Sequence, residues 1–327
     1  MYVQRRRKRI EIWTPAKLNL FLEVLSRRDD GFHEIETLML PVGLFDTLQF
    51  SLRSDDLLKL RVNWAAGYEL QAKVLQDGDT CPAFGDVPEG PQNLVHQAIL
   101  RLRSKVHDEG GQTLPGLDVQ LEKRIPSASG LGGGSSDAAA ALVGANEIWD
   151  LGWSRRRLAQ VAAELGSDVP FFLDGSAAVC RGRGERTEPF SVGRKLFFVI
   201  VRPPHGLSTP SVYRETVVPT SPNRLADFMA AFRALSIEQW SLLLFNRLQQ
   251  AAASIAPWLE ALQQQFDRLG VLGHQLSGSG SCYFGICRHA RHARQAACLL
   301  SSWGIGHVFC VATVVGAPGA TLRTCQN

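Results

Sequence analysis

Apolar positions along the chain fall into two rhythms. Residues 93–107 place Leu94, Ala98, Ile99 and Leu102 on one stripe, the spacing of an amphipathic helix. The alanine-rich stretch 137–149 and residues 155–165 repeat that spacing, and so do 223–234, 240–252, 258–269 and 289–303. Short apolar or alternating runs predict strands at 10–13 and 18–25, separated by a break at Thr14-Pro15-Ala16-Lys17. Further strands are expected at 38–43, 46–51, 117–121, 171–181, 196–202, 282–287 and 307–314. Residues 53–86 are polar and irregular, with Gly67, Gly78 and Gly85, and predict a hairpin plus a loop. Residues 166–170 read as a turn and 273–280 as a loop. Strand and helix runs mix without a strict βαβ alternation, which argues for an α+β fold in two layers. A boundary near residue 190 is expected, giving an N-terminal domain over 1–190 and a C-terminal domain over 191–327. No internal repeat is visible.

The bulk numbers fit this picture. With 45% apolar and 20% charged residues over 327 positions, the chain can bury a core. The net charge of +4 is concentrated in the run Arg5-Arg6-Arg7-Lys8-Arg9, read here as a solvated tail before the first strand. Outside it the balance is close to neutral, which argues against nucleic-acid binding. No apolar run reaches the ~18 residues of a membrane span, and no apolar segment of a secretory signal follows the basic residues. A soluble cytoplasmic protein with no membrane partner is expected. The seven cysteines are scattered without CxxC spacing, so neither a disulfide framework nor a zinc site is expected.

The sharpest chemical signal is Pro126-Ser127-Ala128-Ser129-Gly130-Leu131-Gly132-Gly133-Gly134-Ser135-Ser136-Asp137, followed at once by a helical pattern. Glycines let a backbone turn tightly and approach a ligand. A helix start adds unpaired N–H groups and the positive end of its dipole, together an anion site suited to a di- or triphosphate. Ser135 and Ser136 add hydroxyls for phosphate or Mg²⁺. A Walker A loop would need Gly-Lys-Ser/Thr, whereas Gly134 is followed by Ser135; a GxGxxG fingerprint would need Gly at position 135.

Two other segments accompany this loop. One is Pro15-Ala16-Lys17-Leu18-Asn19-Leu20, continuing to Gly31-Phe32-His33; the other is Leu276-Ser277-Gly278-Ser279-Gly280-Ser281-Cys282. The three, in this order, resemble the three motifs of the GHMP small-molecule kinases. With Lys123-Arg124-Ile125-Pro126 and Gly166-Ser167-Asp168-Val169-Pro170, they look like the 4-diphosphocytidyl-2-C-methyl-D-erythritol kinases within that superfamily, from about residue 14 to 314.

The resemblance implies a two-domain architecture with the active site in the interdomain cleft. It implies transfer of the γ-phosphate of ATP, with Mg²⁺, to the 2-hydroxyl of a substrate carrying a cytidine diphosphate group, in the methylerythritol phosphate route to isoprenoid precursors. No protein-held metal site and no oligomer beyond a monomer or weak homodimer is implied. Lys17 and Asp168 would face the phosphorylated hydroxyl. The glycine loop, Pro126 to Ser136, would hold the ATP phosphates, with Asn93 and Lys123 near the nucleotide. Asn19, Phe32, His33, Thr209 and Tyr213 would hold the substrate, the cytosine lying between Phe32 and Tyr213 while His33 hydrogen-bonds its edge. Phe32 stands where the family usually has tyrosine. Ser127-Ala128-Ser129 stands where it tends towards more glycine or alanine, and residues 53–86 match poorly. The competing expectations are a GHMP kinase for mevalonate, a sugar or homoserine, a non-catalytic nucleotide binder on the same fold, and a nucleic-acid binder acting through residues 5–9.

Overall fold

The computed structural model describes residues 1–6, 9–68, 87–111 and 113–314. The rest of the irregular stretch beyond residue 68, Arg7 and Lys8 of the basic run, and the C-terminal segment from residue 315 lie outside the described residues.

Two long strands, β2 (Arg9–Arg27) and β3 (His33–Leu52), pair antiparallel and form the spine of an eight-stranded sheet. Strand β1 (Tyr2–Arg6) joins the free edge of β2. Beyond β3 lie β5 (Leu117–Lys123) and, parallel to it, β4 (Leu58–Trp64). Strands β6 (Ala178–Gly182) and β7 (Arg186–Pro189) continue the sheet from the other end of β3. A four-stranded antiparallel sheet is built in the order β10 (His274–Leu276), β11 (Tyr283–Cys287), β8 (Phe197–Arg202), β12 (His307–Ala312). The two sheets touch where Val42 bridges Thr313 and the Val314 N–H donates to the Pro41 carbonyl at 2.9 Å.

Helices Leu94–Asp108, Gly133–Ile148 and Arg155–Leu165 pack with the large sheet around a core that includes Leu48, Phe50, Ala98, Leu102, Ala138 to Leu142 and Leu158. A second apolar cluster draws Leu18 and Leu40 from the large sheet, Phe198 and Phe284 from the small one, and Trp240. Helix Leu225–Ala234 adds Phe228 and Phe232 to this second cluster, whereas helices Thr209–Glu215, Leu248–Ile255, Trp258–Asp267 and Ala290–Ser302 share a third with Val199, Val201 and Tyr283 of the small sheet.

Four expectations change. The break at residues 14–17 is a bulge: the β2–β3 register shifts between Pro15 and Ala16, which accommodates a residue with no N–H to donate. The basic run is not a free tail as far as it is described. Residues 2–6 form an edge strand, and Arg5 pairs with Glu147 at 2.5 Å. The run 171–181 divides into a short helix, Val169–Asp174, with Pro170 in its first turn, and a strand. Phe171, Phe172 and Leu173 are buried, so the segment carries no amphipathic signature. The expected helix at 240–252 is interrupted by β9 (Phe245–Asn246), which pairs with Phe21 and Leu22 of β2 before helix Leu248–Ile255 begins.

Candidate active site

The glycine loop leaves β5 and turns into helix Gly133–Ile148. Gly130 and Gly132 both have left-handed backbones, at φ +76° and +71°. A β-carbon on Gly130 would lie 1.9 Å from the Ser277 carbonyl oxygen, and one on Gly132 3.1 Å from Lys17 Cγ. The two small-residue loops therefore meet backbone to backbone. The Cys282 N–H donates to the Ser129 carbonyl at 2.9 Å and Ser277 Oγ donates to the Gly130 carbonyl at 3.0 Å.

Lys17 projects from β2 beside this junction and is 4% exposed. Its backbone N–H donates to the Leu131 carbonyl at 2.9 Å, and its ammonium to Asn19 Oδ1 at 2.7 Å. Two-residue spacing puts Lys17 and Asn19 on one face of the strand. Asn19 is oriented in turn: its amide donates to Thr37 Oγ1 at 2.8 Å, and Thr37 donates to the Phe21 carbonyl at 2.6 Å. Asp168, just before helix Val169–Asp174, brings Oδ2 to 3.7 Å from Lys17 Nζ with its side chain 32% exposed. Asn246 donates to the carbonyls of Leu276 and Gly278, at 2.9 and 2.8 Å, and so holds the Ser277–Ser281 loop over this group.

A cavity of about 890 Å³ opens on these groups. Its lining includes Lys17, Asn19, Asp168, Pro126, Ala128, Ser129, Gly130, Gly132 to Ser135, Phe32, His33, Thr209 and Tyr213. Thr209 Oγ1 and Ser279 Oγ lie 2.7 Å apart, which ties the start of helix Thr209–Glu215 to the Ser277–Ser281 loop. Tyr213, on helix Thr209–Glu215, lies against His33 with ring centroids 5.1 Å apart. Burial, and then the charge of Asp168, push its phenol pKa up. Burial and the neighbouring Arg27 push the His33 imidazole down. Phe32 is 49% exposed, and the Arg183 guanidinium stands 4.8 Å from its ring centre. The structure thus pairs Tyr213 with His33, while the partner of Phe32 is Arg183.

Several expected site residues do not reach the cavity wall. Ser136 is fully buried and spends its hydroxyl on Thr14 and the Pro15 carbonyl. Leu131 is core. Ser127 sits on the loop but is not part of the lining. Asn93 caps helix Leu94–Asp108, accepting from the Val95 N–H at 2.8 Å and donating to the Pro88 carbonyl at 2.7 Å; its neighbour Leu94 lines the cavity instead. Lys123 is 2% exposed and locked between Asp46 and Asp137. Burial would lower its pKa, but the two carboxylates outweigh that and raise it, so it is a charged residue behind the loop. The lining also holds Ser167 and Gly278, which stand in the quoted motifs without an assigned role, and Arg27, Arg183 and Arg214, which no expectation placed in the site. Arg183 carried a signal, since it stands between Gly182 and Gly184, both left-handed.

The described residues contain no cluster of three metal-ligating side chains, and Asp168 is the one carboxylate in the lining. No helix among them is long and apolar enough to cross a membrane.

The chain matches the model of the GHMP kinases N terminal domain over residues 93–176 and that of the GHMP kinases C terminal domain over 227–305. It is 38% identical over 285 residues to the 4-diphosphocytidyl-2-C-methyl-D-erythritol kinase of Pelotomaculum thermopropionicum, covering 86% of this chain and 90% of the relative. With the enzyme of that name from Nocardia farcinica it shares 37% identity over 94% of both chains. A crystal structure of 4-(cytidine 5'-diphospho)-2C-methyl-D-erythritol kinase superposes with a TM-score of 0.72 at 31% identity, over 94% of this chain and all of that one. The chain belongs to the 4-diphosphocytidyl-2-C-methyl-D-erythritol kinase family. Its fold is the α+β architecture of the GHMP kinases. A homoserine kinase from Cytophaga hutchinsonii shares that fold at 18% identity and a TM-score of 0.67.

Proposed function

We propose that this kinase transfers the γ-phosphate of ATP to the 2-hydroxyl of 4-diphosphocytidyl-2-C-methyl-D-erythritol, in the cytoplasm, as a step towards isoprenoid precursors. One observation carries the reading. A single cavity joins a glycine loop, a Lys–Asp pair and an aromatic–histidine pair through consecutive contacts. Gly132 abuts Lys17, Lys17 faces Asp168, and Asp168 abuts Gly184, where a β-carbon would lie 3.4 Å from its carboxylate; Arg183 beside it covers Phe32. A substrate with a nucleoside at one end and a reacting polyol at the other spans that line.

In this reading the loop N–H groups and the start of helix Gly133–Ile148 hold the ATP phosphates. Asp168 orients the hydroxyl and accepts its proton, and Lys17 compensates charge on the transferring phosphoryl group. Asn19 holds the Lys17 ammonium in place. The aromatics take the cytosine face and His33 its edge. Mg²⁺ usually binds through one or two carboxylates plus substrate phosphates. With Asp168 given to the hydroxyl, the Ser135 hydroxyl is the lining group that would help hold an ion arriving on the triphosphate, and such an ion would supply charge neutralisation there. The division into domains near residue 190 is supported by strand membership, since β1 to β7 belong to one sheet and β8 and β10 to β12 to the other, with the two-residue β9 alone crossing back to β2 among the described residues. A monomer or weak homodimer with no nucleic-acid or membrane partner completes the proposal.

The test is to supply Mg-ATP with 4-diphosphocytidyl-2-C-methyl-D-erythritol, mevalonate, galactose or homoserine and to follow ADP release. Turnover is expected with the first alone. Preferential turnover of any other overturns the substrate assignment.

A further inference from the structure

Behind the glycine loop lies a buried charge cluster that the transfer reaction does not use. The side chains of Lys123, Asp46 and Asp137 are 2%, 0% and 4% exposed. The Lys123 ammonium donates to Asp137 Oδ2 at 2.6 Å and also to Asp46 Oδ2. Asp46 comes from β3, and its other oxygen accepts from the backbone N–H groups of Arg124 and Ile125, the latter at 2.9 Å. Those two residues lead directly into Pro126, where the loop begins. Asp137 stands in the opening of helix Gly133–Ile148, where the loop ends. The ammonium reaches the back of the loop itself, since a β-carbon on Gly133 would lie 3.3 Å from Lys123 Nζ.

Stability is a weak account of such a cluster. Desolvating each ion is costly, and replacing buried ion clusters with apolar side chains of similar volume is often neutral or stabilising. Two carboxylates close behind a site for a polyanion are also electrostatically unhelpful unless the geometry they impose is needed. That geometry is specific: one ammonium and one carboxylate join β3, the entry of the loop and its exit.

We infer that Asp46, Lys123 and Asp137 form a staple that fixes the two ends of the glycine loop, and so sets the spacing of the backbone N–H groups that receive the ATP phosphates. The inference rests on reading the loop as the phosphate site. Lys123 is a positioning residue acting through the loop. The three members are not equivalent. Asp46 uses both oxygens and holds three donors, whereas Oδ1 of Asp137 is buried without a hydrogen-bond partner. An amide at position 46 would have to turn its NH₂ towards the ammonium or towards backbone N–H groups. An amide at position 137 can keep its oxygen on the ammonium.

The test compares K123M, D46N and D137N in the full chain. It reads KM for ATP, KM for the cytidine diphosphate substrate, ADP affinity by calorimetry, and Tm. K123M and D46N are expected to weaken ADP binding and to raise KM for ATP by about tenfold or more. KM for the other substrate should stay within about twofold, and D137N should stay within about threefold of wild type for ATP. If K123M does not fold, D46N, nearly unchanged in shape, carries the comparison. A lowered Tm with unchanged ADP affinity and an unchanged ratio of the two KM values would make the cluster merely structural and overturn the staple. D137N as damaging as K123M would overturn the unequal roles on which it is built. A wild-type protein that turns over substrate but binds no ADP through this loop overturns the phosphate-site reading, which is a distinct failure because all variants then match wild type.

Discussion

Replacing Asp168 with Asn separates the chemistry from the architecture. The carboxylate stands 3.7 Å from the Lys17 ammonium, beyond hydrogen-bond reach, and is about one-third exposed. Lys17 keeps its bond to Asn19 at 2.7 Å whatever occupies position 168. A partly solvated ion pair of this kind contributes about 0–1 kcal/mol to stability, so Tm should move by no more than about 2–4 °C. The rate is another matter. A positioned general base contributes about 10²–10⁴-fold, or about 3–5 kcal/mol of barrier. Phosphoryl transfer through a loose transition state asks less of the base than of charge compensation, so the lower end, a fall in kcat of about 10²-fold, is expected. Because the lost interaction belongs to the transition state, KM for ATP should stay within about threefold. A coupled assay of ADP release at saturating substrates, with calorimetric ADP binding alongside, measures both. A kcat within about threefold of wild type, or a defect confined to KM, would remove Asp168 from the proton-accepting role.

Gly130→Ala should destabilise the protein, since the left-handed backbone alone costs about 1–3 kcal/mol and the new methyl would overlap the Ser277 carbonyl. An unchanged Tm would mean that the two loops can part freely. His33→Ala should narrow the preference for the cytidine substrate over its uridine analogue, while Phe32→Ala should weaken kcat/KM for both alike, by the ~1–3 kcal/mol of a base–aromatic stack; the reverse pattern would exchange their roles. Burial and Arg27 hold the His33 pKa below its ordinary value, so the folded protein keeps this ring neutral as pH falls through about 6.5. The unfolded chain takes up the proton first, so stability from this group declines from about pH 6.5 down to the lower folded pKa, and no further below it. kcat/KM for the cytidine substrate should therefore hold through pH 6.5 in wild type, and a loss centred there that disappears in His33→Ala would contradict the assignment.

The parts of this protein that follow a local rule were readable from its residues. Helix Arg155–Leu165 and strands β8, β11 and β12 fall within about two residues of expectation because each has a regular apolar period and a clear cap or turn. The misreadings have tertiary causes. Pro15 marks a break in sequence, but a partner strand of matching length absorbs it as a bulge. Gly133 and Gly134 read as loop yet form the first turn of a helix; a β-carbon on Gly133 would lie 2.9 Å from Ile125 Cγ2, whereas one on Gly134 would meet only Leu94, at 3.6 Å. Lys123 beside a glycine loop suggests a place near the nucleotide, and only the fold reveals that Asp46, from a strand 77 residues earlier, has claimed its ammonium. Arg183 and Arg214 enter the cavity on a turn and a short helix with no periodic signal.

The direct backbone contact between Gly130 and Ser277 has a consequence for how this chain can be divided. The two segments matched by the family's domain models both exclude Lys17, and the apolar cluster of Leu18, Leu40, Phe198 and Phe284 draws on both sheets. A break engineered near residue 190 would leave each fragment with half of a shared core exposed to water and half of a cavity floor made of main chain. Neither fragment alone would recover ligand binding. Co-expressed fragments would complement each other, and activity would return as one concerted assembly rather than in two stages.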